Sequence, residues 1–212
     1  MALERVSTVD ALVAELRRQV LSGELGPGAQ LKEVELSERY GVGRYSLRTA
    51  MRVLTDEGLL RHEAHRGVFV PHLTRADVED LFILRTALEV EAATLAARRG
   101  LDLTEAERAV QQLEAITGEE PWDEVTEKDL AFHHAYVDAV GSRRLSRSFE
   151  AMTSELRLVM AQTRTEYTDP RQVGREHREI LDGLRSGDPS RAEAAVRAHL
   201  EEGVQTLLSQ LP

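Results

Sequence analysis

Apolar side chains recur at three- and four-residue steps along most of this chain, the period of helices that bury one face. Val9, Leu12, Val13, Leu16, Val20 and Leu21 form the first stripe. They predict a helix from Ser7 to Ser22, with Ser7 and Asp10 as a capping pair. Gly23, Gly26, Pro27 and Gly28 then break the chain. A second, short helix is expected over about Glu33 to Tyr40, carrying Val34, Leu36 and Tyr40 and ended by Gly41 in a left-handed cap. Leu47, Ala50, Met51 and Leu54 predict a third helix from Arg44, finished by Gly58. Two strand-like segments follow, Leu59 to Glu63 and Gly67 to Val70, with Ala64-His65-Arg66-Gly67 as the tip between them. Three helices and a two-stranded hairpin make a winged helix-turn-helix over residues 1–70.

After a linker at 71–73 the pattern is helical throughout, over residues 74–212. Thr74 with Asp77 caps a long helix to Arg99, with Val78, Leu81, Leu84, Leu88, Ala92 and Leu95 expected inward and Gly100 ending it. Thr104 and Glu107 read as a capping box for a fifth helix to about Thr117. Further helices are expected over about Asp123 to Val140 and Ser142 to Thr163. Asp169-Pro170 and Asp188-Pro189 are N-cap and first-turn proline signals for the last two, which end near Ser186 and Ser209. The predicted class is mainly α, a winged helix-turn-helix followed by an all-helical antiparallel bundle.

Composition changes this picture little. The chain is 42% hydrophobic, 30% charged and only 4% aromatic, which suits a globular helical protein with a Leu, Val and Ala core. It lacks cysteine, so disulfides are excluded and any metal must be held by His, Asp or Glu. The opening residues are unlike a signal peptide, and no stretch approaches a membrane helix, so the expected location is cytoplasmic, with no membrane partner. Charge is more informative. The net charge of −10 disfavours nucleic acid at first sight. Residues 1–70, however, carry ten Lys/Arg and ten Asp/Glu, so the whole deficit lies in residues 71–212. A neutral first part with clustered arginines is compatible with DNA.

Arg44, Arg48 and Arg52 recur every four residues on the third helix, on another face than its apolar stripe. Such a helix suits the major groove, its arginines meeting phosphates and guanine edges. An ordinary surface helix with solvated arginines has the same pattern. The hairpin tip adds Arg66-Gly67, which can approach a minor groove because glycine has no side chain. A hairpin glycine placed for backbone reasons alone would look alike.

Residues 8–70 resemble the N-terminal domain of GntR-type bacterial transcription regulators. The matching residues are Glu35-Leu36-Ser37, Gly41-Val42-Gly43-Arg44, Leu47 to Met51, Leu54, Glu57 to Leu60 and Arg66 to Val70. Where this chain has Gly43 to Met51, the family commonly has Ser-Arg-Thr-Pro-Val-Arg-Glu-Ala-Leu. Arg44 and Arg48 keep the two arginines, whereas Gly43, Tyr45, Ser46 and Thr49 depart from the pattern. Some members carry arginine where this chain has Val34. The resemblance implies a DNA interface of Arg44, Tyr45, Ser46, Arg48, Arg66 and Gly67, with operator preference set partly by Tyr45, Ser46 and Thr49. Arg52 is assigned to phosphate or solvent.

Of seven histidines, three stand out. Asp129 and His133 share a helix face at i, i+4, His177 lies in the eighth helix and His199 in the ninth, each on or beside an apolar stripe. Imidazole is costly there without a partner. Three imidazoles and a carboxylate from three helices can bind a divalent metal. Histidines satisfied by ordinary hydrogen bonds fit the spacing equally. His134 is expected on another face.

Residues 74–212 resemble the FCD ligand-binding domain of FadR-type GntR regulators. The match runs through Leu84-Arg85 with Glu89, Asp129 with Phe132-His133, Leu145, Glu176-His177, Ile180-Leu181, Gly187-Asp188 and Ala192 to His199; Ser142 stands where asparagine is common. The short domain suggests the six-helix VanR-like subgroup. The resemblance implies a metal held by Asp129, His133, His177 and His199, with zinc, nickel or manganese all compatible. It also implies a homodimer on double-stranded operator DNA and a small-molecule effector, expected to be a carboxylate. Arg85 is a second anchor for that anion or a structural partner of Glu89. The expected function is a metabolite-responsive repressor and not an enzyme. The alternatives are a DNA-binding dimer with a purely structural metal and a metal-dependent hydrolase, for which no general base is recognisable.

Overall fold

Ser7 begins the first helix, accepting a hydrogen bond from the Asp10 amide, as a Ser-Asp capping pair should. The computed structural model describes residues 7–163 and 171–211. The chain divides between Leu73 and Thr74 into two units. The first contains α1 (Thr8–Leu21), β1 (Gln30–Leu31), α2 (Glu33–Tyr40), α3 (Arg44–Asp56), β2 (Arg61–Glu63) and β3 (Gly67–Phe69). Leu12, Val13, Leu16 and Val20 of α1 are buried together with Leu47, Ala50, Met51 and Leu54 of α3, the helix it packs on. Val9 and Leu21, expected in the stripe, are only half-buried. Arg17 clamps this pair of helices, donating from Nη2 to both oxygens of Glu57 at 2.8 and 2.7 Å. The turn between α2 and α3 follows from Gly41, whose φ of +63° ends α2. Ser37 Oγ then donates to the Val42 carbonyl.

The wing differs from expectation in one respect. Its sheet has three strands in the order β1-β3-β2, both pairings antiparallel, with Gln30 opposite Phe69 and His62 opposite Val68. β1 is two residues long, too short to carry a period, and so leaves no pattern in the sequence.

The second unit contains α4 (Arg75–Arg99), α5 (Thr104–Glu114), α6 (Trp122–Ala139), α7 (Arg143–Thr163), α8 (Arg171–Arg185) and α9 (Pro189–Gln210). The expected capping box at Thr74 and Asp77 forms, and α4 stops before Gly100. α4 lies against α6, α7, α8 and α9, while α5 packs on α6 and α8. Val78, Leu81 and Ala92 of the stripe expected for α4 are buried, but the rest of its buried face differs. Leu84 is 47% exposed, Leu88 and Leu95 are half-buried, and Phe82, Arg85, Glu89, Ala93 and Ala96 turn inward. An ion pair occupies the middle of the core face, so the true stripe is rotated away from the purely apolar one.

A second correction concerns α5. Thr104 is its first residue, and Asp102 Oδ1 accepts from the Thr104 amide and hydroxyl. Glu107 instead receives Arg178 and Arg185 of α8, while Arg178 also donates twice to Glu114 at 2.9 Å. The two helices approach closely beneath these pairs: a Cβ added to Gly174 would lie 2.7 Å from the Glu114 Cα. The Asp169-Pro170 start signal lies outside the described residues. Asp188 caps α9 as expected, accepting from the Ser190 amide with Pro189 next in the chain. Among the described residues no helix is long and apolar enough to cross a membrane.

Candidate metal centre and nucleic-acid interface

α6 carries Asp129 and His133 one turn apart on its buried face, α8 carries His177 and α9 carries His199. The bundle brings these together: one donor atom from each lies within 4.8 Å of the others. His177 Nε2 is 2.9 Å from Asp129 Oδ1 and 3.3 Å from His133 Nε2, and His133 Nε2 is 4.0 Å from Asp129 Oδ2. Phe132 meets the His177 ring edge-on at 5.1 Å and walls one side.

The surroundings decide which ring nitrogens face the cluster. His133 Nδ1 donates to Glu89 Oε2 at 2.7 Å, and His177 Nδ1 donates to the Val173 carbonyl at 2.7 Å. Each ring then turns an Nε2 lone pair toward the other and toward the Asp129 carboxylate. Acceptors converging without a donor between them repel unless a cation binds them, and Asp129 Oδ2 has no hydrogen-bond partner though buried. The donor set of three imidazoles and one carboxylate therefore fits a divalent metal.

Electrostatics agree. Burial pushes His133 down to about 4 against the opposing pull of Glu89, so the ring is the neutral form that a metal requires. Burial alone would raise Asp129, yet its carboxyl is held well below its usual range, and Arg85 is the neighbouring positive charge that does not depend on the histidines' protonation. Burial also lowers His199, whose Nδ1 lies 3.7 Å from Glu176 Oε2.

Behind the cluster stands a group that the sequence reading assigned only to Arg85. Glu89 is fully buried and accepts from Arg85 Nε at 2.6 Å, from His133 Nδ1 and from the Tyr136 hydroxyl. It thus orients a candidate ligand as well as pairing a charge. Tyr136 follows His133 at i+3, and Glu89 follows Arg85 at i+4, so helical spacing contained both signals. Arg85 keeps one nitrogen free: Nη2 is buried without a hydrogen-bond partner. It lines a cavity of about 90 Å³ together with Asp129, His177 and His199. Both roles considered for Arg85 are therefore geometrically available. His134 faces elsewhere, toward Thr153 Oγ1 at 3.0 Å and Glu150.

In the first unit Arg44, Arg48 and Arg52 are all exposed on α3, and Tyr45 is 84% exposed. Ser46 and Thr49 are half-buried, with the Thr49 hydroxyl donating back to the Tyr45 carbonyl. Arg48 Nε donates to Glu33 Oε2 at 3.0 Å. Tyr45, Arg48 and Arg52 line a groove of about 460 Å³ with His62 and Val68 of the wing. Val34 of α2 is an exposed apolar side chain, 47% exposed. At the wing tip Arg66 is exposed, stacked over Phe69 at 5.3 Å and paired with Glu63. Gly67 has a φ of +108°, a conformation that favours glycine, and a Cβ there would crowd Gln30 Nε2 at 3.2 Å. Gln30 Nε2 also donates to the Arg66 carbonyl at 2.6 Å, which gives the unforeseen β1 a role in holding the wing.

The two units match two known families. Residues 8–70 match the model of bacterial regulatory proteins of the gntR family, and residues 80–202 match the FCD domain. The chain is 29% identical to the HTH-type transcriptional regulator LutR of Bacillus subtilis, over 90% of this chain and 96% of that protein. It is 27% identical to a D-xylose utilization operon transcriptional repressor of Paenarthrobacter nicotinovorans, over 86% and 80% of the two chains. A crystal structure of a GntR transcriptional regulator from Rhodococcus sp. RHA1 superposes with a TM-score of 0.81 at 26% identity, covering 95% of this chain and 97% of the other. An arginine-bearing helix with its wing, followed by a helical FCD bundle, makes this chain a transcription regulator rather than an enzyme, and it belongs to the GntR family.

Proposed function

We propose that the chain is a homodimeric repressor whose hold on operator DNA is controlled by a small carboxylate bound beside a divalent metal. Residues 1–70 read the operator, residues 71–73 link, and residues 74–212 bind the effector and dimerise. Arg44, Tyr45, Ser46 and Arg48 meet the major groove, and Arg66 and Gly67 the minor groove. Asp129, His133, His177 and His199 would hold the metal, with zinc, nickel and manganese all suited to the set. A bound metal supplies an electrophilic position for a carboxylate oxygen. Arg85 meets the other end of that carboxylate through Nη2, and Glu89 keeps Arg85 and His133 in place.

One observation carries this reading. Asp129 Oδ2 and Arg85 Nη2 are buried polar atoms without hydrogen-bond partners, and both residues line the same cavity. An acceptor that wants a cation beside a donor that wants an anion is a matched pair of demands. The relative named for repression of a D-xylose utilization operon supports that direction of control. Effector binding shifts the packing of the FCD bundle and so the spacing of two winged helices on a two-fold operator.

The test is an electrophoretic shift of DNA selected by the chain from random duplexes, using metal-loaded protein with and without small carboxylates. Specific retardation that a carboxylate weakens at least tenfold is the expected result. No specific retardation would refute the operator reading. Specific binding indifferent to every carboxylate would refute effector control and leave the metal a structural role.

A further inference from the structure

Tyr45 and Val34 are an anomaly on the surface of the first unit. Among the described residues only four large apolar side chains are exposed, and these are two of them. Scattered singly, such side chains carry no message; two that accompany one ion pair do. Tyr45, Arg48 and Arg52 follow one another at three- and four-residue steps, so the ring stands on the same outer face of α3 as the arginines and lines the same groove. Val34 lies on α2, next in the chain to Glu33, and α2 packs on α3. Glu33 joins the two helices: its Oε2 accepts from Arg48 Nε at 3.0 Å.

That ion pair decides which part of a duplex the surface meets. It holds Arg48 by Nε and leaves the two Nη groups of the guanidinium fork for O6 and N7 of a guanine. The Glu33 carboxylate repels phosphate at the same point, so the sugar-phosphate backbone is kept off and base edges are admitted. In the major groove only thymine presents a methyl group at its edge. Resting on the operator reading above, we propose that Tyr45 and Val34 select thymine in the operator half-site by covering its 5-methyl group, alongside the guanine that Arg48 reads. The contact buries apolar surface on both partners. Covering one methyl corresponds to about fourfold in affinity. Cytosine and adenine would instead turn an amino group toward an apolar side chain, a donor desolvated without a partner. The same two side chains therefore reject those bases.

The test starts from the duplex that the full chain selects from random DNA. Each thymine is replaced in turn by uracil, which removes the 5-methyl group and keeps every hydrogen-bonding atom. Fluorescence anisotropy should show a loss of about three- to sixfold at one or more thymines of each half-site. Tyr45→Ala and Val34→Ser should bring the ratio of thymine to uracil affinity close to one, each at the position it covers. A merely structural side chain would weaken both duplexes alike and leave the ratio unchanged. A half-site without thymine, or one that tolerates uracil throughout, would overturn the inference while operator binding stands. A ratio that survives in either variant removes that residue from the proposal. Where a variant loses specific binding, the wild-type scan decides alone. If no duplex is selected at all, the operator reading itself fails, an outcome distinct from any result of the uracil scan.

Discussion

Glu89→Gln is the most informative single change, because Glu89 joins the fold to the candidate metal centre. The variant keeps the shape of the side chain and removes its charge. Arg85 and its partner Glu89 have side-chain exposures of 3% and 0%, so water cannot screen what remains. An exposed pair at i, i+4 would contribute about 0–1 kcal/mol. Breaking a buried pair by deleting one charge instead costs about 3–5 kcal/mol, since the surviving charge is left without compensation. Glu89→Gln should therefore lower the stability of the metal-free protein by about 3–5 kcal/mol, read from the urea midpoint. Metal affinity should also fall, because the group that orients His133 through Nδ1 is weakened. Losses of that kind are on the order of 10–100-fold, read by competition with a chelator. The double variant Glu89→Gln with Arg85→Met separates the roles. It removes the stranded cation, so stability should largely recover while metal affinity does not. A loss below about 1 kcal/mol in the single variant would place it in the range of exposed pairs and refute the buried-pair argument. Unchanged metal affinity would refute the orienting role.

Three further outcomes follow from other parts of the chain. Arg48→Ala should weaken specific operator binding by about 1–3 kcal/mol in a shift or anisotropy assay; equal binding by wild type and variant would remove Arg48 from the reading surface. His177→Ala should lose bound metal by elemental analysis while keeping its helical circular dichroism, and an unchanged metal content would exclude it as a ligand. Gly174→Ala poses a conflict of effects. Helix propensity predicts a gain of roughly 1 kcal/mol, whereas the 2.7 Å approach of the added Cβ to the Glu114 Cα predicts a loss of about 1–3 kcal/mol. A lower melting temperature is expected, and a higher one would mean that α5 and α8 part at little cost.

Much of the architecture was legible locally. Helix limits were marked by residues whose chemistry acts within one turn: Ser7 and Thr74 as caps, Gly41 and Gly100 as stops, Asp188-Pro189 as a start. The apolar face of α3 was equally plain, since Leu47, Ala50, Met51 and Leu54 keep a clean helical period and all are buried. α4 was read correctly at Val78, Leu81 and Ala92 but not at its middle, where the inner face includes Arg85 and Glu89, which a hydropathy pattern assigns to water. Thr104 opens α5 instead of capping it: Leu103 is the N-cap, and Asp102 accepts from the Thr104 amide, a choice made by backbone geometry over two residues. β1 was invisible because its two residues acquire meaning only beside β3.

The candidate site divides along the same line. Sequence alone determined which side chains were available: arginines on one helix face, Asp129 and His133 one turn apart, histidines on the last two helices, and an Arg-Gly wing tip. These follow from periods of a few residues, and local chemistry sets them. Only the tertiary structure decided that three helices bring the four donors within 4.8 Å. It alone placed Glu89 of α4 against His133 of α6, across a separation in sequence that no period spans. It also left Arg85 Nη2 unpartnered in a cavity that Asp129, His177 and His199 line. Bonds of that kind depend on how helices pack, and packing is settled by the whole core at once.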